Sequence, residues 1–196
     1  TIGATRLDLS AHGTLDIARA LPLAGGLLDD ARGQAELTVR VTGQPRAPRL
    51  KATLDLLDVG VRPTRQEAWL RIPAGKIEID DATGASAGPG RRSLSFTGLS
   101  LEVDDGFSVD RASLSVSGGV VLDRTVPAEW SVIVAGTLGG EMLVLGAPGE
   151  IASASGAADV NLRLFGKGAR PQIDGTVTFD PTRPLTLLAR SLRREI

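Results

Sequence analysis

The chain has 196 residues, with 22 Lys+Arg against 23 Asp+Glu, no cysteine, no tyrosine and only 3% aromatic residues. It has no basic excess to neutralise a phosphate backbone and few rings to stack on bases, so no nucleic-acid partner is expected. Without cysteine there is no disulfide framework, zinc–thiolate site or thiol nucleophile, and the redox compartment stays open. No apolar stretch approaches the ~20 residues of a membrane span, and Thr1-Ile2-Gly3 lacks the regions of a signal peptide.

Taken in chain order, the first distinctive segment is Leu15 to Leu28. Leu15, Ala18, Leu21, Leu27 and Leu28 fall loosely at helical spacing, but Pro22, Gly25 and Gly26 interrupt it. This predicts a short helix or a loop packed on the end of a sheet. Beyond it the pattern is period two. Leu37, Val39 and Val41 alternate with Glu36, Thr38, Arg40 and Thr42, and Leu50, Ala52, Leu54 and Leu56 alternate with Lys51, Thr53 and Asp55. Ile77/Ile79, Leu94/Phe96, Leu99/Leu101/Val103, Phe107/Val109, Leu114/Val116, Trp130/Val132/Val134, Val160/Leu162/Leu164 and Ile173/Val177/Phe179 continue it. The runs are short and separated by Gly, Pro, Asp or Asn, which predicts roughly twelve strands, mostly antiparallel because the connections are too short for helical crossovers. The fold class expected is all-β, with one or two short helical segments. Asp80 to Arg92 reads as a flexible loop, and Pro184 to Arg194 as the start of a helix with Leu185, Leu188 and Leu192 on one face.

No catalytic constellation emerges. His12 is the only histidine and has no partner nearby in sequence. Asp29-Asp30, Asp80-Asp81 and Asp104-Asp105 lack the spacing of a calcium loop and read as turn-forming aspartates. Gly136 to Gly140 is glycine-rich but lacks the lysine of a phosphate loop. Arg91-Arg92 is expected in a solvated loop, and Trp69 and Trp130 in the apolar surface. No cofactor, metal or enzymatic activity is expected.

The chain repeats itself. Gly33 to Gly43 aligns without gaps with Gly156 to Gly166, Pro48 with Pro171, Leu56 with Phe179 and Gly13-Thr14-Leu15 with Gly136-Thr137-Leu138, all at an offset of 123. Between Gly13 and Leu56, 12 of 44 positions are identical to their counterparts. Residues 5–57 thus correspond to 128–180 in one elongated β-repeat segment covering 1–196. Each copy reads as strand, a loop of about five residues carrying a proline, then strand, with Pro48 and Pro171 between strands or on an edge. Both ends fall mid-pattern and the chain starts without Met, so part of a longer array is expected.

The pattern G-x-A-x-L-x-V-x-V-x-G…P-x-L-x-G/A-x-L-x-L, carried by Gly33 to Gly43 with Pro48 to Leu56 and by Gly156 to Gly166 with Pro171 to Phe179, resembles the repeat of the TamB family. These are the translocation and assembly module subunits, within the wider AsmA-like group. The resemblance implies a U-shaped, taco-like antiparallel sheet with an apolar inner surface. It also implies a periplasmic location in a Gram-negative bacterium, as part of a protein anchored in the inner membrane outside this chain. The function it implies is transport of phospholipid towards the outer membrane, with an outer-membrane barrel partner of the TamA/BamA type. The lipid-groove residues expected on this basis are Leu37, Val39, Val41, Leu50, Leu54, Leu56, Leu94, Phe96, Leu114, Val116, Trp130, Val132, Val134, Val160, Leu162, Leu164, Ile173, Val177 and Phe179. Two alternatives stand beside the conduit. One is an assembly or secretion module that pairs with the barrel through an exposed edge strand, and the other is a β-sandwich repeat of an exported protein, whose apolar faces pack on each other.

Overall fold

The computed structural model describes residues 6–24, 28–64, 68–81, 90–104, 112–146 and 151–189. The elements run β1 (Leu7–Asp16), α1 (Ile17–Ala20), a 3-10 turn (Leu21–Ala24), β2 (Leu28–Gln44), β3 (Ala47–Pro63), β4 (Trp69–Asp81), β5 (Arg91–Asp104) and β6 (Ser113–Asp123). They continue with β7 (Val126–Gly139), α2 (Gly140–Gly146), β8 (Ile151–Ser155), β9 (Ala157–Lys167), β10 (Gln172–Phe179) and β11 (Thr186–Ala189). Nine strands form one sheet in the order β1-β2-β3-β4-β5-β6-β7-β9-β10, every neighbouring pair antiparallel, and β8 pairs with β11 in a second, two-stranded sheet. The large sheet is curled but not closed, and β1 and β10 are its edges. The expected all-β fold with short helical segments is the fold found.

The offset of 123 recurs in the elements. β2 begins at Leu28 and ends at Gln44, while β8 begins at Ile151 and β9 ends at Lys167, each 123 positions on. The pairings recur too: Leu7↔Gly43 and Leu15↔Ala35 are matched by Trp130↔Gly166 and Leu138↔Ala158. The helices α1 and α2 follow equivalent strands. In the first copy β2 bends at Gly33, φ 103, and in the second β8 gives way to β9 at Gly156, φ 88. These are the same position of the repeat, and both backbones lie in the left-handed region that glycine tolerates.

The break in period two that matters for the core crosses β3, β4 and β5. Asp58 in β3 has φ 49 and Gly98 in β5 has φ 60. The β2–β3 register shifts between Arg32 and Gln34 and the β5–β6 register between Phe96 and Leu99, whereas β3, β4 and β5 stay in step with one another. An extra residue in each of these three strands returns Val59, Val61, Ile72, Leu99 and Leu101 to the face that already holds Leu54, Leu56, Ile77 and Phe96. Without it these side chains would point to the opposite face.

The core lies on that face. Ala35, Leu56, Val59 and Leu99 form one buried cluster, with Leu99 lying over Gly75, where a Cβ would come within 2.6 Å of its Cδ1. Val103, Ala112 and Met142 form a second, where α2 covers Leu70, Leu114 and Leu138. The chain exposes 13029 Å², against about 8,800 Å² for a compact protein of its mass.

Four local expectations are corrected. The segment after Pro184 is strand β11 rather than the start of a helix, and residues 190–196 lie outside the described residues. Its leucines sit at helical spacing, but Leu187 and Leu188 belong to a strand paired with Ala154 and Ser153. Asp180 turns the chain into this segment, its carboxylate accepting from the Thr182 hydroxyl (2.6 Å), the Thr182 N–H (2.8 Å) and Arg183 Nε (3.2 Å). Arg91 and Arg92 open β5 and pair with Glu129 (3.7 Å) and Asp81 (3.5 Å), so the loop expected over 80–92 is shorter at both ends, and residues 82–89 lie outside the described residues. Pro48 is inside β3, opposite Gly43, and the turn before it has only two residues, Pro45 and Arg46. The proline is tolerated because pairing with β4 begins only at Lys51. Trp69 lies on the polar face, as described below.

Gly33→Ala is expected to lower stability by about 1–3 kcal/mol, because a Cβ there would strike the Asp58 carbonyl oxygen and approach Val59 Cα to 2.7 Å. The urea midpoint measures this, and an unchanged midpoint would contradict a fixed bend at this position.

Candidate functional site: one uncovered apolar face

Directly opposed residues of antiparallel strands share a face, so the pairings fix the composition of each side. Val41↔Leu50, Leu37↔Leu54 and Ala35↔Leu56 join β2 to β3, and Leu9↔Val41 and Ala11↔Val39 bring in β1. Ile77↔Phe96 and Ile79↔Leu94 carry the face to β5, and Leu101↔Leu114 and Leu99↔Val116 to β6. Val116↔Val134, Val120↔Trp130, Val134↔Leu162 and Val132↔Leu164 extend it to β7 and β9. Leu164↔Ile173, Val160↔Val177 and Ala158↔Phe179 complete it on β10. All nineteen residues singled out from the sequence fall on this one side. The structure adds Leu9, Val59, Val61, Leu70, Ile72, Ile77, Ile79, Leu99, Leu101, Val103 and Val120. Of these, Ile77, Ile79 and Leu99 to Val103 already stood in alternating runs. Val59, Val61 and Ile72 were hidden by the extra residues that interrupt the alternation.

The face is packed at its middle and open at its edges. Val132 on β7 is 6% exposed, while its repeat counterpart Leu9 on β1 is 60% exposed. Likewise Leu56 on β3 is 6% exposed and its counterpart Phe179 on β10 is 59% exposed. The chemistry of each pair is nearly the same, and the difference is a strand on one flank. Among the described residues no large side chain is fully buried and no polar or charged residue is buried. At one end of the face the helix α2 leaves a gap of about 230 Å³ whose lining is entirely apolar: Pro63, Leu70, Leu101, Leu114, Leu138, Met142 and Leu145.

The opposite side carries the charge. Arg40 donates to both carboxylate oxygens of Asp8 (3.2 and 3.1 Å), and this holds the Asp8 carboxyl below its usual range. Lys76 pairs with Asp55 at 3.6 Å, and the Thr137 hydroxyl donates to Asp159 at 2.8 Å. Trp69 was expected in the apolar surface but lies here, with the Arg32 guanidinium 4.4 Å from its ring centre. Its neighbour Leu70 takes the apolar side, so the alternation places the tryptophan outside. Trp130 is on the apolar face as expected, anchored by its Nε1 donating to the Gly168 carbonyl at 2.9 Å.

His12 shares a hydrogen bond with Thr38 Oγ1 (3.1 Å) on the polar side, with both residues exposed. Asp30 approaches Arg62 at 3.8 Å, and Asp81 accepts from the Leu50 N–H at 2.7 Å. Among the described residues no group of three His, Asp or Glu stands close enough to hold a metal ion, and no helix is long and apolar enough to cross a membrane. What the arrangement can do is present a broad apolar strip to an apolar ligand while charged side chains keep the other face in water. Comparison with protein-family models, with curated proteins and with solved structures finds no match for this chain.

A charge placed at repeat-equivalent positions separates the packed from the open part. Val132→Asp is expected to cost several kcal/mol, on the order of 3 or more, and Leu9→Asp under about 1 kcal/mol. Equal losses in urea unfolding would contradict an open edge at β1.

Proposed function

We propose that this chain holds the acyl chains of phospholipid against the apolar face of its sheet, as one segment of a longer protein that carries lipid from the inner to the outer membrane. The observation that supports this reading is the face itself: apolar from β1 to β10, on one side of a single sheet, with Leu9, Ile173, Val177 and Phe179 left exposed. Each buried methylene contributes about 0.8 kcal/mol, so tails alone have reason to stay on such a strip. Nine strands spaced at ~4.8 Å span roughly 38 Å, more than twice the ~15 Å depth of one leaflet's hydrocarbon. Buried charge would bind a headgroup and stop it sliding, and the face offers none among the described residues. In this reading the bound lipid meets packing and no chemistry.

The sandwich alternative requires a second layer facing this one; among the described residues nine strands lie side by side in one sheet and the other sheet has only two strands, which favours the open face. The periplasmic setting, the inner-membrane anchor outside this chain and an outer-membrane barrel partner of the TamA/BamA type are proposed together with the function, on the resemblance of the repeat to the TamB family.

The test is photo-crosslinking in the expressing cell, with a crosslinking residue at Val39 or Leu162 on the apolar side and at Arg40 or Arg163 on the polar side, following labelled phospholipid on the protein band. Lipid is expected at the first pair alone. Silence at all four positions in folded protein would overturn the reading.

A further inference from the structure

The repeat supplies a comparison of one strand in two settings. Trp130 to Gly139 of β7 stand 123 positions after Leu7 to Asp16 of β1, and their pairings with β9 and β2 coincide. On the other flank β7 pairs with β6, while no described strand lies beside β1. We infer that the open edge of β1 is a docking edge for one extended polypeptide segment that runs antiparallel to it and has the side-chain pattern of β6. This holds whether or not lipid occupies the apolar face.

Transposing the β6–β7 register gives the pattern. Leu114, Val116, Gly118 and Val120 oppose Gly136, Val134, Val132 and Trp130, whose counterparts are Gly13, Ala11, Leu9 and Leu7. Ser113, Ser115, Ser117 and Gly119 oppose Thr137, Ala135, Ile133 and Ser131, whose counterparts are Thr14, His12, Ser10 and Asp8. The incoming segment therefore places aliphatic residues or glycine on the apolar side and serine or glycine on the polar side. Main-chain groups on the outer flank of β1 provide the hydrogen bonds, and the cover it brings accounts for the difference between Leu9 at 60% and Val132 at 6% exposure. A second copy added head to tail does not meet the requirement. Nine strands that alternate in direction leave β1 and β10 running the same way, so such copies would meet in parallel.

The offset also sets the experiment. Arg124 and Thr125 separate Asp123 from Val126, and Thr1 and Ile2 occupy the same two places by the 123-residue offset. Residues Ser113 to Asp123 are fused directly before Thr1 of the full chain, with a control carrying one extra residue at the junction, which turns each side chain to the wrong face. The in-register fusion is expected to slow amide exchange at alternate residues of β1 at least tenfold and to raise the thermal midpoint by about 2–4 °C. The control is expected to do neither. The inference is overturned if the two fusions behave alike. It is also overturned if the unfused chain sediments as a dimer with β1 amides already protected, because a second copy is then the occupant.

Discussion

A sheet buries its apolar face only by meeting another layer, and among the described residues nine strands lie side by side with two short helices packed at one end of that face. The helices α1 and α2 reach the face from one end, through Ile17 in one case and Met142 and Leu145 in the other. The remainder of the face is covered by curl, by neighbouring side chains and by the extra residues in β3, β4 and β5. That constraint explains the excess of exposed surface, the absence of any fully buried large side chain among the described residues, and the confinement of the core to small clusters on one side. It also explains the chemistry of the two faces. The polar side needs ladders such as Asp8–Arg40 and Lys76–Asp55 to stay in water, and exposed pairs of this kind contribute little beyond that.

The repeat turns the same constraint into a graded one. Equivalent residues pass from packed to open according to how many strands flank them, as Leu56 and Phe179 show. Each added strand completes the cover of its predecessor and leaves its own side chains exposed, which is the energetic character of a stacked array rather than of a closed domain. An apolar ligand lying along the face and a strand added at the edge supply cover of different kinds, and neither excludes the other.

Much of this was legible because period two is a strong signal where a strand is regular. All nineteen residues picked from the alternation share a face, and the 123-residue offset anticipated the matching ends of β2 and of β8 with β9. The losses came where geometry departs from the period. Asp58 adopts φ 49 and shifts the alternation by one, so Val59 and Val61 fall out of step with Leu54 and Leu56 in sequence though they pack beside Leu56. Leu185 and Leu188 mimicked a helix because a short leucine-rich segment satisfies either period. Pro48 is expected between strands or on an edge, and the second holds, since it lies where β3 has a partner on only one flank. Trp69 is expected in the apolar surface, and its position next to Leu70 puts it on the other face. No composition signal reports that a face lacks a second layer, since a sandwich and an open sheet share the same alternation.

The most direct test of the central claim is native mass spectrometry of the chain purified from cells in mild detergent, beside a variant with Val39→Glu and Leu162→Glu that circular dichroism shows to be folded. Phospholipid is expected to accompany the unmodified chain, with masses matching two-tailed lipids, and to be lost from the variant. A bare unmodified chain, or lipid retained equally by both, would contradict the account of this face as a seat for acyl chains.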